Sequence, residues 1–327
     1  MSMDPGHDET DELLAKIEKR VNAEYKQAAK EAQKKLDDYL KRFDAKDKRW
    51  KAMVDSGEKT QEEYQKWRQG QIMIGKRWED LRDTLAQDYH NANLIARSTV
   101  DGYMPDVYAI NHNYGTYQVE SSALVDTSYA LYDRQTVERI MLDQPDLLPP
   151  PGKDLAKKIA ENKDLAWQEG KIQSITLQSI LQGESIPKMA KRISTDLAVA
   201  NNKNAVRYAR TSVTGAENAG RVDSYRRAQN MGIKMKQMWI ATLDGRTRHE
   251  HRQLDGQTVT VGEPFKVDGE EIRFPGDPAA PGYLVWNCRC TLVAQLEGFE
   301  TDPADMGLRY DEKLGEMSYD EWKKAKK

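Results

Sequence analysis

The apolar spacing between Glu12 and Met53 constrains this chain more than any other feature. Leu14, Ile17, Val21, Tyr25, Ala28, Ala32, Leu36, Leu40 and Phe43 recur at steps of three or four. On a helical period they line up as one narrow seam along a long helix, with coiled-coil-like spacing. A seam so thin and so rich in alanine buries too little surface to stand alone and requires a partner helix. Asp55–Gly57 punctuates the run, and a second amphipathic run from Glu62 to Arg97 is placed to fold back as a helical hairpin. The composition agrees. With 38 % hydrophobic and 31 % charged residues and a mean hydropathy of −0.84, the chain is too polar for one large core. It suits long solvated helices joined to a smaller globular part.

Downstream the pattern changes. "DGYMPDVYAINHNYGTYQVE", Asp101 to Glu120, is rich in Tyr, Asn, Gly and Pro and reads as a loop with aromatic anchors, in which His112 is incidental. A short helix is expected over Asp133–Leu142, and Pro149–Pro151 with Gly152 marks a boundary. Helices resume from Asp154 to Leu181. After a stop at Gly183, a cap at Ser185 and Pro187 in a first turn, another runs beyond "NNKN" from Ala205 to Met231 and ends at Gly232. The grammar then becomes β: "KMKQMWIATL" alternates, "QTVTV" is β-branched, "FKVDGEEIRF" turns at Asp268-Gly269, and "CRCTLVAQL" closes. The expected fold is mostly α with a small C-terminal α+β domain and an elongated helical N-terminal part. The expected segments are a helical lead over 1–99, an aromatic loop, short helix and Pro-rich linker over 100–152, and a helical part over 153–232. A small α+β part over 233–300 and a charged, weakly helical tail over 301–327 complete it.

Only two cysteines occur, Cys288 and Cys290 in "VWNCRC". A disulfide between residues two apart would close a small, strained ring. The opening "MSMDPGHDETDE" has neither a basic start nor an apolar core, so synthesis in a reducing cytosol and free thiols are expected. No apolar run reaches roughly 18 residues, and no membrane partner is expected. The net charge of −3 hides a local excess, since Pro187–Arg252 carries 14 Lys and Arg against 5 Asp and Glu. Such a block can meet phosphates through Arg207, Arg210, Arg221, Arg226 and Arg227, or it can decorate the wet face of a helix.

Four segments then follow in order: "NAVRYARTSVTGAENAGR", "WIATLDGRTRHEHRQLDGQ", "PFKVDGEEIRFPGDP" and "WNCRC". Their order and wording over Gly183–Leu296 resemble the phage Mu F-like minor head protein family, and the helical lead with "GYMP…YAINHN…YQVE" also looks like its minor capsid proteins. The resemblance implies a virion component of the capsid interior, made in a host cytoplasm and active in head morphogenesis. Its implied partners are a portal protein and a major capsid or scaffold protein, with double-stranded DNA as a further contact. One departure is Ser212 after Arg210-Thr211, where the family often has an acidic residue. That weakens any carboxylate-based active site on this helix.

Asp244, Arg246, Arg248, His251 and Asp255 crowd a short stretch ahead of the "LDG" turn, a density that is costly to order unless these groups bond one another or a ligand. His249 and His251 lie two apart and face nearly opposite ways on a helix. The resemblance favours His251. Three readings compete for His251, Cys288 and Cys290. They bind zinc, with Asp244, Asp255 or His249 as fourth ligand; or His251 is a general base beside Asp244 and Arg246 in a nuclease-like or transferase-like enzyme; or they form a structural hydrogen-bond knot with the cysteines as small buried hydrophobes in a short strand. The knot is the preferred reading, and the expected role is not catalytic. No phosphate loop, Rossmann fingerprint or metalloprotease motif occurs.

Overall fold

A computed structural model describes residues 4–144 and 163–327, so the boundary expected at Pro149–Gly152 and the helix start expected at Asp154 lie outside the described residues. The elements run α1 (Pro5–Asp55), α2 (Gln61–Ile72), α3 (Lys76–Asp101), α4 (Met104–Ala123), β1 (Val125–Asp126), α5 (Arg134–Asp143), α6 (Lys163–Leu181) and α7 (Ile186–Asn230). Then come β2 (Ile233–Ile240), α8 (His249–Leu254), β3 (Thr258–Thr260), β4 (Phe265–Val267), β5 (Glu270–Ile272), α9 (Gly282–Val285), β6 (Thr291–Phe299), β7 (Arg309–Tyr310), a 3-10 turn (Glu312–Gly315) and α10 (Tyr319–Ala325). The chain is mostly helical, with long N-terminal helices and small sheets towards its C-terminal end. Two compact units are defined. One takes its described residues from Met1–Glu18, Val100–Gly152 and Arg207–Lys327, the other from Lys19–Thr99 and Lys153–Val206.

In the all-helical unit the seam of α1 is buried from Val21 to Phe43. Tyr25 bonds Asn93, Lys35 pairs with Asp88 and the Tyr39 ring packs on Trp78, so α3 runs antiparallel to α1. The run expected as one helix over Glu62–Arg97 is two, because the chain turns at Gly75 with φ +95, a conformation that glycine adopts without strain. The break expected at "NNKN" does not occur. Asn201 bonds Gln168 and the Leu197 carbonyl, and Asn202 bonds Asn22, so residues that favour turns are held inside α7.

The other unit holds the sheet. β2 is central, antiparallel to β3 and to β6, with Ile240 opposite Thr291 and Ile233 opposite Phe299. Its inward residues are Ile233, Met235, Gln237 and Trp239. β4 and β5 form the expected hairpin, with Asp268 and Gly269 both at positive φ. Most of the Asp101–Glu120 stretch, from Met104 on, is helix α4, not a loop. Pro105 opens it, and its polar residues find buried partners: Asn111 bonds Thr10, Asn113 bonds the Tyr132 carbonyl, and His112 bonds Tyr129. Those bonds outweigh the weak helix propensity of Tyr, Asn and His. Gly220 lets α7 approach α4 closely, since a Cβ there would lie 2.5 Å from the Tyr108 carbonyl oxygen.

The stretch after Thr301, expected as a charged, weakly helical tail, ends in helix α10, which packs inward. Ser318 caps α10 with a capping box, and Trp322 is fully buried with its indole N–H donating to Glu120 at 2.7 Å. Replacing this side chain should therefore be expensive. Trp322→Ala should lower the unfolding free energy by about 3–5 kcal/mol in a urea titration. A cost below about 0.5 kcal/mol would show that Trp322 is not a core residue.

Candidate functional site

The site grows from two irregular segments laid against α7. The first leaves β2 and turns at Asp244, whose carboxylate accepts the Arg246 N–H at 2.8 Å and is gripped on both oxygens by Arg289, each at 2.8 Å. Arg289 first, and the Arg246 N–H second, hold the Asp244 carboxyl well below the usual carboxylate range. The Arg246 side chain is exposed. α8 follows Arg248 and turns His251 and Leu254 inward, three apart, while His249 faces out and bonds Gln253. Asp255 ends α8 by accepting the Ala241 N–H at 2.8 Å. The five-residue cluster is thus divided. His251 meets the cysteines and Arg248 stands beside it, whereas Asp244, Arg246 and Asp255 brace turns.

The second segment follows α9. Asn287, at φ +54, reverses the chain and delivers Cys288 and Cys290 to the interior, with Arg289 pointing back to Asp244. This is irregular backbone ahead of β6, so the convergence of the thiols comes from a turn and not from the short strand expected. His251 Nδ1 lies 3.3 Å from Cys290 Sγ and 3.7 Å from Cys288 Sγ. Its other nitrogen, Nε2, lies 2.8 Å from the Leu284 carbonyl oxygen, a pure acceptor, so Nε2 carries the proton and Nδ1 presents a lone pair to the sulfurs. Arg248 donates to the Trp286 carbonyl and stands 3.4 Å from the same Nε2. The hydrogen bond from Cys288, opposed by burial, lowers the pKa of the Cys290 thiol to about 5, while burial pushes that of the Cys288 thiol up. All three residues line a cleft of about 630 Å³ together with Thr214, Arg248 and Arg210.

What holds this segment is a polar stripe on α7 that the sequence reading missed. Thr211 Oγ1 accepts the Asn287 N–H, Thr214 donates to the Cys288 carbonyl, and Asn218 donates to the Cys290 carbonyl. Glu217 then accepts from Thr291, and Arg221 donates to the Leu292 carbonyl. Steps of three and four along "RTSVTGAENAGR" were the available signal. Arg221 is no phosphate contact: it is fully buried, pairs with Asp4 at 2.7 Å and Glu217 at 3.4 Å, and bonds Asn111. Among the other arginines of the basic block, Arg227 lies over Tyr129, Arg207 over Trp286, and Arg210 bonds Glu18 at 2.6 Å, while Arg226 is exposed.

Residues 170–293 match the family described as Phage Mu protein F like protein, in agreement with the resemblance carried by the sequence motifs. Among individual proteins, the chain is 30 % identical to minor head protein GP7 of Bacillus phage SPP1, over 46 % of this chain and 49 % of that one. It is 32 % identical to the NAD(+)–arginine ADP-ribosyltransferase EFV of Enterococcus faecalis, over 53 % of this chain and 35 % of that one. It is also 32 % identical to an uncharacterized protein of Haemophilus influenzae, over 40 % and 26 %. The chain therefore spans between a quarter and a half of the curated relatives it matches. No solved structure matches it.

Two outcomes test these contacts. Arg221→Ala removes the buried guanidinium that pairs with Asp4 and Glu217 and should cost about 3–5 kcal/mol of stability by urea unfolding, against at most about 0.5 kcal/mol for Arg226→Ala. His7, bonded to Glu217 at 2.9 Å, has its pKa raised to about 9 by that bond, against the lowering effect of burial. A raised histidine stabilises fully below its unfolded value of about 6.5 and loses that contribution as pH climbs through about 9. Unfolding free energy should therefore fall across that window by on the order of 1–3 kcal/mol, and the fall should shrink in His7→Gln.

Proposed function

We propose that this chain is a minor head protein of a tailed phage or prophage, associated with the portal and the capsid interior. The observation that carries the reading is the Mu F-like match over residues 170–293 together with the similarity to a minor head protein of a Bacillus phage. The fold is consistent with it. The structural investment lies in helix packing, and the polar groups beside the cysteines are consumed in bracing backbone. No described helix is long and apolar enough to cross a membrane. Portal, major capsid or scaffold proteins are the proposed partners. Contact with packaged double-stranded DNA is proposed through Arg207, Arg210, Arg226 and Arg227, without Arg221.

In particles purified from the producing strain, the chain should copurify with DNA-filled heads and cross-link to the portal protein. Its absence from purified heads would overturn the head role, and cross-links to the shell alone would remove the portal. For DNA, binding to a duplex should be indifferent to sequence and weaken steeply with salt, and Arg207, Arg210 and Arg226 all changed to Glu should reduce it by about tenfold or more. Absence of binding at low salt would eliminate the DNA contact.

A second reading is enzymatic and rests on the relative named as an ADP-ribosyltransferase. The residues first considered for catalysis do not favour it. Asp244 is neutralised by Arg289, and His251 is buried with one ring nitrogen on the Leu284 carbonyl and the other against sulfur. Transfer of label from NAD+ to an arginine acceptor by the purified chain would establish this second reading in spite of that geometry.

A further inference from the structure

We infer that His251, Cys288 and Cys290 bind a zinc ion, with the fourth coordination position held by a water from the cleft. Among the described residues this is the group of His, Cys and carboxylate side chains whose donor atoms converge, all within 4.8 Å of one another and all buried. The spacing fits a metal. Ligands at about 2.3 Å for sulfur and about 2.0 Å for nitrogen, set at tetrahedral angles, stand about 3.5 Å apart for a sulfur–nitrogen pair. The observed separations of 3.3 and 3.7 Å bracket that edge.

The imidazole is oriented for the task. The Leu284 carbonyl fixes the proton on Nε2 and leaves the Nδ1 lone pair aimed between the sulfurs, the outer-shell arrangement that metal-bound histidines use. The Cys290 N–H points at Cys288 Sγ at 3.4 Å, a bond that favours sulfur in its ligating, negative form. Charge balance agrees. Two thiolates and a neutral imidazole around a divalent cation are neutral overall, so the complex can be buried without a further carboxylate. Without a metal, the Nδ1 lone pair faces two sulfurs that are left to hydrogen-bond each other.

The fourth ligand is not one of the three side chains considered from sequence. Asp244 is held by Arg289, Asp255 by the Ala241 N–H, and His249 faces away towards Gln253. The three ligand residues line the cleft, which leaves the remaining position to solvent. Soft sulfur and imidazole donors in this number select zinc over magnesium or calcium. Bound there, the ion would tie α8 to the segment that α7 holds through Thr211, Thr214 and Asn218.

The test uses the full chain, purified reduced and without an affinity tag that binds metal, then dialysed against zinc chloride. About one zinc per chain is expected by mass spectrometry, with two sulfur and two nitrogen or oxygen neighbours in its X-ray absorption spectrum. Cobalt exchanged into the site should give thiolate-to-cobalt charge-transfer absorption. A folded chain that takes up no zinc overturns the inference, as does a sulfur-free shell. Cys288→Ser with Cys290→Ser should lose the ion while a single His249→Gln keeps it; retention by the double variant places the metal elsewhere and also overturns the inference. Because the zinc content and spectrum are read on the unaltered chain, an unfolded variant does not obscure the result. Neither readout depends on head assembly, so a failure here leaves the proposed head role standing.

Discussion

Hydrogen bonds from one face of α7 to a neighbouring backbone set the architecture around the candidate site. Thr211, Thr214, Asn218 and Arg221 follow one another at helical spacing and bond successive groups from Asn287 to Leu292. An irregular segment cannot satisfy its own peptide groups, and an unpaired buried one costs about 1–3 kcal/mol. The stripe supplies those partners. It thereby decides where the chain leaves α9, where β6 begins, and how the two sulfurs are presented to His251.

Arg221 ends the stripe and shows how much rests on charge compensation in a small unit. Burial disfavours its charge, but Glu217 and Asp4 outweigh this and keep its pKa above the usual arginine value. The same guanidinium bonds Asn111 on α4 and the Leu292 carbonyl on β6. One side chain therefore joins the start of α1, the middle of α4, α7 and the sheet. His7 and Thr10 reinforce the α1 end through Glu217 and Asn111. A residue that looks like part of a phosphate-binding block in sequence is thus an internal clamp, because a helix face cannot be assigned to water or to protein until its neighbours are known.

The division of labour between Asp244 and His251 bears on chemistry as well. Both lie in one polar stretch, yet the bidentate grip of Arg289 makes Asp244 a turn brace. His251 is left with sulfur and a backbone carbonyl for company. A catalytic dyad of the two would require bonds that each has already committed elsewhere.

By itself the sequence determined the long helices, the C-terminal β grammar and the Asp268-Gly269 turn, because these follow from local periodicity and from residues with a backbone preference. It also determined that only one of His249 and His251 could join the cysteines, since two residues on a helical turn face apart. The tertiary structure alone decided that Met104–Glu120 is helix, that "NNKN" continues one, and that Trp322 is core. In each case polar side chains found partners more than ten residues away, as Asn111 does with Thr10, Asn202 with Asn22 and Trp322 with Glu120. It likewise decided the meeting of His251 with Cys288 and Cys290, which depends on a left-handed Asn287 and on a distant helix, as in the Thr214 to Cys288 bond with its sequence separation of 74. Local pattern fixes what each segment prefers to be, whereas long-range hydrogen bonding decides which polar residues are buried and therefore which can share a site.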